Sequence, residues 1–405
     1  MSSHKYLAWF VSLDTPLTLN ALFNNHPDLI EKFCNSFEKV YLVNFSKLKF
    51  FSNKEHIQQE FDKKFKKPKN MEFVNPKNVS DFDNFMKGKE LIAINNMGRQ
   101  LNNLKIHFLL ARYKIKLMQI SNIGNIQWNA KLNFFSWRAL IYKLDHDFAN
   151  KLVVFLSNFK LVPKREIRFL TNSNIIKNSK IGFIKKILNR FNLLYAKELI
   201  LVNSRSFDLF KECKFKIEES QIVLLDQNLE HHERIKLYGH ESPRNVERHY
   251  FYLNKLLQKF SNLYNKRIVI CIHPGADLEK KKKYFPNYEV VQYKTRENIY
   301  KAFIVLYFAT SAIVDALLLK KRIVSLYSNY NTDKSMFPGS LKESIAYGIL
   351  LINIEDEKKI DKDKFLLQLN NRIKNYSNYI KSNIAPDEDN LGYKKMIRIL
   401  KERFF

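Results

Sequence analysis

The stretch Ile268-Val-Ile-Cys-Ile-His273-Pro274-Gly275 decides the fold class when it is read with Ile304-Val-Leu-Tyr-Phe-Ala309-Thr310-Ser311-Ala312-Ile-Val-Asp315-Ala-Leu-Leu-Leu319. Each begins as an unbroken apolar run and stops at small or turn-forming polar residues. That is the pattern of a strand buried on both faces of a parallel sheet. Such sheets collect their ligand-binding groups at the carboxyl ends of the strands. A small anionic ligand suits these two endings.

Outward from these strands the chain alternates. Ahead of them lie strand candidates over Tyr6–Leu13, Val40–Phe45, Leu91–Asn95, Ile115–Ser121, Ile167–Leu170 and Leu199–Val202, several separated by longer amphipathic segments. After Cys213 the sequence turns polar and charged through Lys214–Gln221. It then restarts with Ile222–Leu225, closed by Asp226. The expected order from there is helix Val246–Leu263, strand Arg267–Ile272, strand Tyr288–Tyr293, helix Arg296–Phe303, strand Ile304–Phe308, helix Ala312–Leu319 and strand Arg322–Tyr327. This rhythm predicts an α/β protein of two Rossmann-like, doubly wound domains facing a cleft. The helical stretches Lys364–Tyr379 and Lys394–Phe405 are expected to pack back. Domain boundaries are expected at 1–213, 214–360 and 361–405.

Composition sets the surroundings. A chain of 405 residues that is 45% hydrophobic can bury a sizeable core. Lys and Arg number 69 against 40 Asp and Glu, a net charge of +29, so a polyanion is an expected partner: anionic lipid, a phosphate-bearing substrate or nucleic acid. Coding bias toward lysine is a sufficient cause as well. Cys34, Cys213 and Cys271 have no metal or disulfide spacing and read as buried thiols in a reducing compartment. The start, Met1-Ser-Ser-His-Lys-Tyr6, lacks a secretory signal pattern, so the expected location is the cytoplasm. Ala302–Leu319 has the length of a membrane span, but Thr310-Ser311 and Asp315 make it a buried strand followed by a buried helix.

The motifs have a physical logic. A residue before proline is held extended, so the strand runs up to His273; Pro274 then forces the chain out of the ladder. Gly275 permits a tight turn and close approach by a ligand. An imidazole at that tip can bind a phosphate or protonate a leaving group near neutral pH. Thr310 and Ser311 precede an apolar-periodic helix, where hydroxyls, free amides and the positive end of the helix dipole favour phosphate.

His273-Pro274 with Thr310-Ser311 resembles the His-Pro and Ser-Ser motifs of bacterial sialyltransferases and of related Kdo and polysialic-acid transferases, which are nucleotide-sugar enzymes of the two-domain GT-B fold. The resemblance covers roughly residues 222–330, with Thr310 in place of the first serine. It implies that His273, Thr310 and Ser311, with Pro274 completing the matched positions, hold the phosphate of a CMP-sugar, and Gly275 is expected beside them for its close backbone approach. The acidic-acidic-Gly motif that supplies the base in several of these families has no counterpart here.

Asp226, at the end of its strand, and Glu241, in Gly239-His-Glu-Ser-Pro243, are the leading candidates for activating an acceptor hydroxyl. Glu166, beside a first-domain strand, and Asp14, at the end of the first strand, come next. Asp315 is expected to pack locally. The Lys280–Lys283 run reads as a solvated face that could also draw in an anionic donor. No Asp-x-Asp pair suited to a nucleotide-bound cation accompanies these motifs, so neither a metal nor a cofactor is called for.

The expected activity is transfer of an acidic sugar, a sialic acid-type nonulosonic acid or Kdo, from a CMP donor to a hydroxyl of a cell-surface glycan. The acceptor would belong to lipopolysaccharide, lipooligosaccharide or capsule, and the enzyme would sit on the anionic inner face of the cell membrane. A GT-B transferase using a UDP- or GDP-sugar is the first alternative. A basic nucleic-acid-binding protein is the second, disfavoured because aromatic and basic residues do not gather in a recognised nucleic-acid-binding motif.

Overall fold

The computed structural model describes residues 6–11, 27–45, 48, 68–95, 97, 103–121, 149–172, 196–226, 245–274, 276–308, 310–330, 336–387 and 389–405. The described residues form two compact units, one drawn from those up to 121, 149–205 and 386–405, the other from those within 206–385.

The first unit contains β1 (Tyr6–Val11), α1 (Pro27–Cys34), β2 (Lys39–Asn44), β3 (Met71–Val74), α2 (Val79–Met86), β4 (Leu91–Asn95), α3 (Leu104–Arg112), β5 (Lys116–Ser121), α4 (Ala149–Asn158), β6 (Arg165–Leu170) and β7 (Ala196–Leu201). Its strands lie in the order β3-β2-β1-β4-β5-β6-β7 and every pairing is parallel. Both faces are buried, as the apolar runs require: Leu7 and Trp9 point into one core layer, Ala8 and Phe10 into the other. The end of the chain returns here. The final helix, Gly392–Phe404, contributes Met396, Ile397, Ile399 and Leu400 to the layer that holds Trp9 and Phe33. Asn203 fastens that return, since its side chain donates to the carbonyls of Asp387 and Asn390 and accepts the Asp387 N–H at 2.9 Å.

The second unit follows α5 (Arg205–Glu212) with β8 (Gln221–Leu225), α6 (Val246–Tyr264), β9 (Arg267–Ile272), α7 (Leu278–Tyr284), β10 (Glu289–Gln292), α8 (Thr295–Tyr300), β11 (Ala302–Tyr307), α9 (Ile313–Leu318), β12 (Arg322–Tyr327), α10 (Met336–Tyr347) and β13 (Leu350–Asn353). Helices α11 (Lys362–Ile373) and α12 (Tyr376–Tyr379) complete it, and the Gly392–Phe404 helix above is α13. The order is β10-β9-β8-β11-β12-β13, again all parallel. Alternation along the strands is strict. Ile222, Leu224, Ile268, Ile270, Ile304 and Leu306 face α6, whereas Val223, Leu225, Val269, Val305 and Tyr307 face α9 and the tyrosines of α10 and α12.

Both sheets are doubly wound, with the strand order reversing beside their first strand. In the second sheet this switch lies between β8 and β11, and ligands of such sheets bind in the crevice outside those carboxyl ends. The 302–319 segment is β11 followed by α9, as read from the sequence, and among the described residues no helix is long and apolar enough to cross a membrane. Three expectations shift. The helix expected over Arg296–Phe303 stops at Tyr300, because Ala302 already pairs with Gln221 as β11 begins. The helix expected over Lys364–Tyr379 is broken between α11 and α12. The Lys280–Lys283 run lies within α7.

Four of the described helices end without glycine. Lys114, Lys160, Asn265 and Lys320 follow α3, α4, α6 and α9 in the left-handed region, with φ between 50° and 60°. Each carries the hydrogen bonds of a helix end, for instance Lys320 N–H to Leu317 O at 3.0 Å and Lys321 N–H to Ala316 O at 3.0 Å. Glycine takes this role only after α2 and α10, at Gly88 and Gly348, among the described residues.

Candidate functional site

The carboxyl edge of the second sheet brings together three of the strand endings singled out in the sequence. Asp226 leaves β8, with its N–H donating to Cys271 O at 2.9 Å so that the ladder extends one residue further. His273 leaves neighbouring β9, and Thr310 and Ser311 follow β11 on the other side of β8.

The tip of β9 is clamped. The Gln292 side-chain amide, at the end of β10, donates to Pro274 O at 2.9 Å and Ala276 O at 3.0 Å, with a longer contact to His273 O at 3.4 Å. Tyr293 donates its hydroxyl to Pro274 O at 3.2 Å, and the Ala276 N–H closes the turn onto His273 O at 2.9 Å. Asp277 then caps α7 by accepting the Lys280 N–H at 3.1 Å. The His273 side chain is exposed at the tip, yet packing around it and the Lys281 ammonium push its pKa below the ordinary value. Near neutral pH it is therefore an uncharged imidazole, able to donate one hydrogen bond and accept another.

Lys281 is what the sequence reading missed. Lys282 and Lys283 are exposed, but Lys281 is buried: its ammonium lies 2.6 Å from Asp226 Oδ2, and the two side chains are 2% and 3% exposed. The same ammonium donates to the Tyr250 hydroxyl at 2.6 Å. Tyr250 stacks on Tyr284 with centroids 4.1 Å apart, which closes the pair off from water. His249, buried one residue earlier on α6, packs against Phe308 at the end of β11. The solvated-face reading therefore fails for one lysine of four. Leu278, Lys281 and Phe285 fall at helical spacing on the inward face of α7, and that periodic stripe with a cation in it was the available signal.

Thr310 and Ser311 stand where expected but cap differently. Helix α9 starts at Ile313 with Ala312 as the capping residue, and Thr310 Oγ1 accepts the Ala312 N–H at 3.3 Å inside the turn. Thr310 is half-buried and Ser311 exposed. Asp315 packs locally, held by Arg296 through two hydrogen bonds of 3.0 and 3.2 Å.

Of the other sequence candidates, Glu166 lies at the amino end of β6, ion-paired with Lys197 at 2.7 Å, on the sheet edge opposite the carboxyl ends. Asp14, Glu241 and Gly275 fall outside the described residues. Cys34 and Cys271 are buried, and burial raises their thiol pKa values to about 11 and about 12. Cys213 is only half-buried. Among the described residues no cluster of His, Cys, Asp and Glu could hold a metal ion.

No family model matches the chain, and no curated protein does. Solved structures do. The wall teichoic acid polymerase TagF, soaked with CDPG, matches with a TM-score of 0.52 at 8% identity, over 99% of this chain and 88% of that one. The glycosyltransferase of kitacinnamycin matches with a TM-score of 0.49 at 10% identity, over all of both chains. The UDP-GlcNAc 2-epimerase of Methanocaldococcus jannaschii matches with a TM-score of 0.47 at 13% identity, over 98% of this chain and 99% of that one. At 8% identity the likeness to TagF is one of fold alone, and with the two parallel sheets described above it gives the chain a GT-B-like architecture of two Rossmann-like units.

Proposed function

We propose that the chain is a glycosyltransferase that moves an acidic sugar from a CMP donor to a glycan hydroxyl, acting in the cytoplasm on the inner face of the cell membrane. The observation that carries the reading is the convergence of His273, Thr310 and Ser311 on one edge of the second sheet, either side of the β8 switch strand. Their resemblance to the His-Pro and Ser-Ser motifs of sialyl- and Kdo-transferases supports the CMP donor, and the GT-B fold supports the coarser reading of a nucleotide-sugar transferase.

In this reading a single phosphate sits between the β9 and β11 tips. His273 donates a hydrogen bond to it, and the Thr310 and Ser311 hydroxyls donate from the other side. The Lys281 ammonium, which already depresses the imidazole pKa, supplies positive potential behind His273. Negative charge builds on the phosphate as the sugar–oxygen bond breaks, so these groups stabilise the transition state more than the ground state. Asp226 anchors Lys281 and, through α7, the loop that carries His273. Its buried carboxylate is engaged by the ammonium, which leaves Glu241 as the leading candidate for the acceptor base.

A thermal-shift panel of CMP, UDP and GDP tests the reading. A nucleotide held by the folded state at a hundred times its Kd adds about 2.7 kcal/mol of stability. CMP is expected to protect more than UDP or GDP, and Thr310→Val with Ser311→Ala to remove most of that protection. Protection by UDP with none by CMP would end the acidic-sugar assignment and leave the fold untouched.

A further inference from the structure

Helices α3 and α4 end in the same way. Lys114 and Lys160 occupy the left-handed position with φ of 51° and 60°. Their N–H groups donate to Ala111 O and Ser157 O at 3.0 and 3.2 Å, and the next residues, Ile115 and Leu161, donate to Leu110 O and Leu156 O at 3.4 and 3.1 Å. In this helix end the residue after the left-handed one normally folds its apolar side chain onto the last turn. Ile115 does so and is 4% exposed. Leu161, in the equivalent place, is 51% exposed, and it has company: Phe155 is 51% and Phe159 62% exposed, their rings 4.8 Å apart.

These groups are concentrated at one place in the fold. Helix α4 runs into β6, so its end lies at the amino edge of the first sheet, and Leu117 pairs with Arg165, so β5 and β6 start side by side. Lys114 and Lys164 therefore stand at adjacent strand starts, with Lys160 between the exposed rings and Leu161. The nearby acids on β6 and β7 are already engaged, Glu166 by Lys197 and Glu198 by Arg403. Among the described residues no carboxylate pairs with Lys114, Lys160 or Lys164. Three large apolar side chains more than half exposed, fringed by uncompensated lysines, match the boundary of an anionic bilayer. Rings enter the headgroup region there and ammonium groups meet lipid phosphates.

We infer that the amino edge of the first sheet, around Phe155, Phe159 and Leu161, docks on an anionic membrane surface. The inference stands without the nucleotide-sugar reading and gives the membrane contact of that reading a definite address.

The full-length protein is mixed with phosphatidylcholine vesicles, with or without phosphatidylglycerol, and sedimented. Binding is expected only with the anionic lipid and is expected to fall with added salt. Phe155→Ser with Phe159→Ser, and separately Lys160→Glu with Lys164→Glu, should each weaken it by on the order of tenfold or more. Lys342→Glu with Lys374→Glu, the same charge change on exposed sites of the second unit, should leave it within about twofold. All variants should melt like the wild type and keep its response to CMP. The inference is overturned if the wild type ignores anionic vesicles, if the serine variant binds as the wild type does, or if the control pair loses as much binding as the Lys160 pair. It is also overturned if the serine variant instead abolishes a dimer, since a second copy of the chain would then cover the patch.

Discussion

Replacing Lys281 by methionine keeps the length of the side chain and removes its charge, leaving the Asp226 carboxylate 3% exposed with its cation gone. Breaking a buried pair from one side costs about 3–5 kcal/mol, because the surviving charge has neither water nor partner. For a unit of this size 1 kcal/mol corresponds to roughly 2–4 °C, so the second unit's melting transition should fall by about 6–20 °C. Asp226→Asn should cost a similar amount from the other side. The double variant Lys281→Met with Asp226→Leu leaves no buried charge, and its loss should be well below the sum of the singles. Calorimetry on all four proteins gives the cycle, and far-UV circular dichroism checks that the sheet persists. A second readout is local: without the neighbouring ammonium the His273 pKa should rise toward 6.5, followed by NMR. A drop of less than about 2 °C for Lys281→Met, or strictly additive singles, would refute a coupled buried pair.

His273→Ala should lower turnover by on the order of a hundredfold or more with the melting temperature nearly unchanged, because the side chain is exposed at a loop tip; wild-type turnover would sink its role. The depressed pKa also sets a pH trend: as pH falls below about 6.5 the unfolded chain takes up this proton first, so His273 withdraws stability there, and a His273→Gln melt should show a shallower acid slope than the wild type. Gly392→Ala should destabilise the first unit by about 1–3 kcal/mol, since a Cβ there collides with the Asn203 backbone; unchanged denaturant midpoints would disprove that contact. Lys320→Gly should stabilise the second unit by roughly 0.5–1 kcal/mol by relieving a left-handed lysine, and a lower midpoint would contradict it.

The central strands were legible because burial on both faces forces continuous apolar runs, and β8, β9 and β11 are such runs. The edge strands β3 and β13 were not. Both are four residues long and only partly buried; β10 is as short, yet it was legible as the strand expected over Tyr288–Tyr293. At the site, the His273 and Thr310-Ser311 tips could be read because turn residues mark strand ends. Lys281 could not be read from composition, since its burial depends on Asp226, which lies 55 positions away in sequence. Gln292 was invisible for a similar reason: it holds the Pro274 turn from the neighbouring strand, a contact only parallel pairing creates.

The seating of α13 among Trp9 and Phe33 has a consequence for biogenesis. The first unit is discontinuous in sequence: four side chains of its core layer belong to residues 396–400, which are translated only after residues 206–385 of the second unit. At about 5–20 residues per second, roughly ten to forty seconds separate translation of Arg205 from that of the closing helix. During this interval residues 206–385 can fold, while the first unit waits on the ribosome with part of an apolar sheet face uncovered. A chain truncated after Ala385, released from the ribosome, should thus hold a protease-resistant second unit and a protease-sensitive first one.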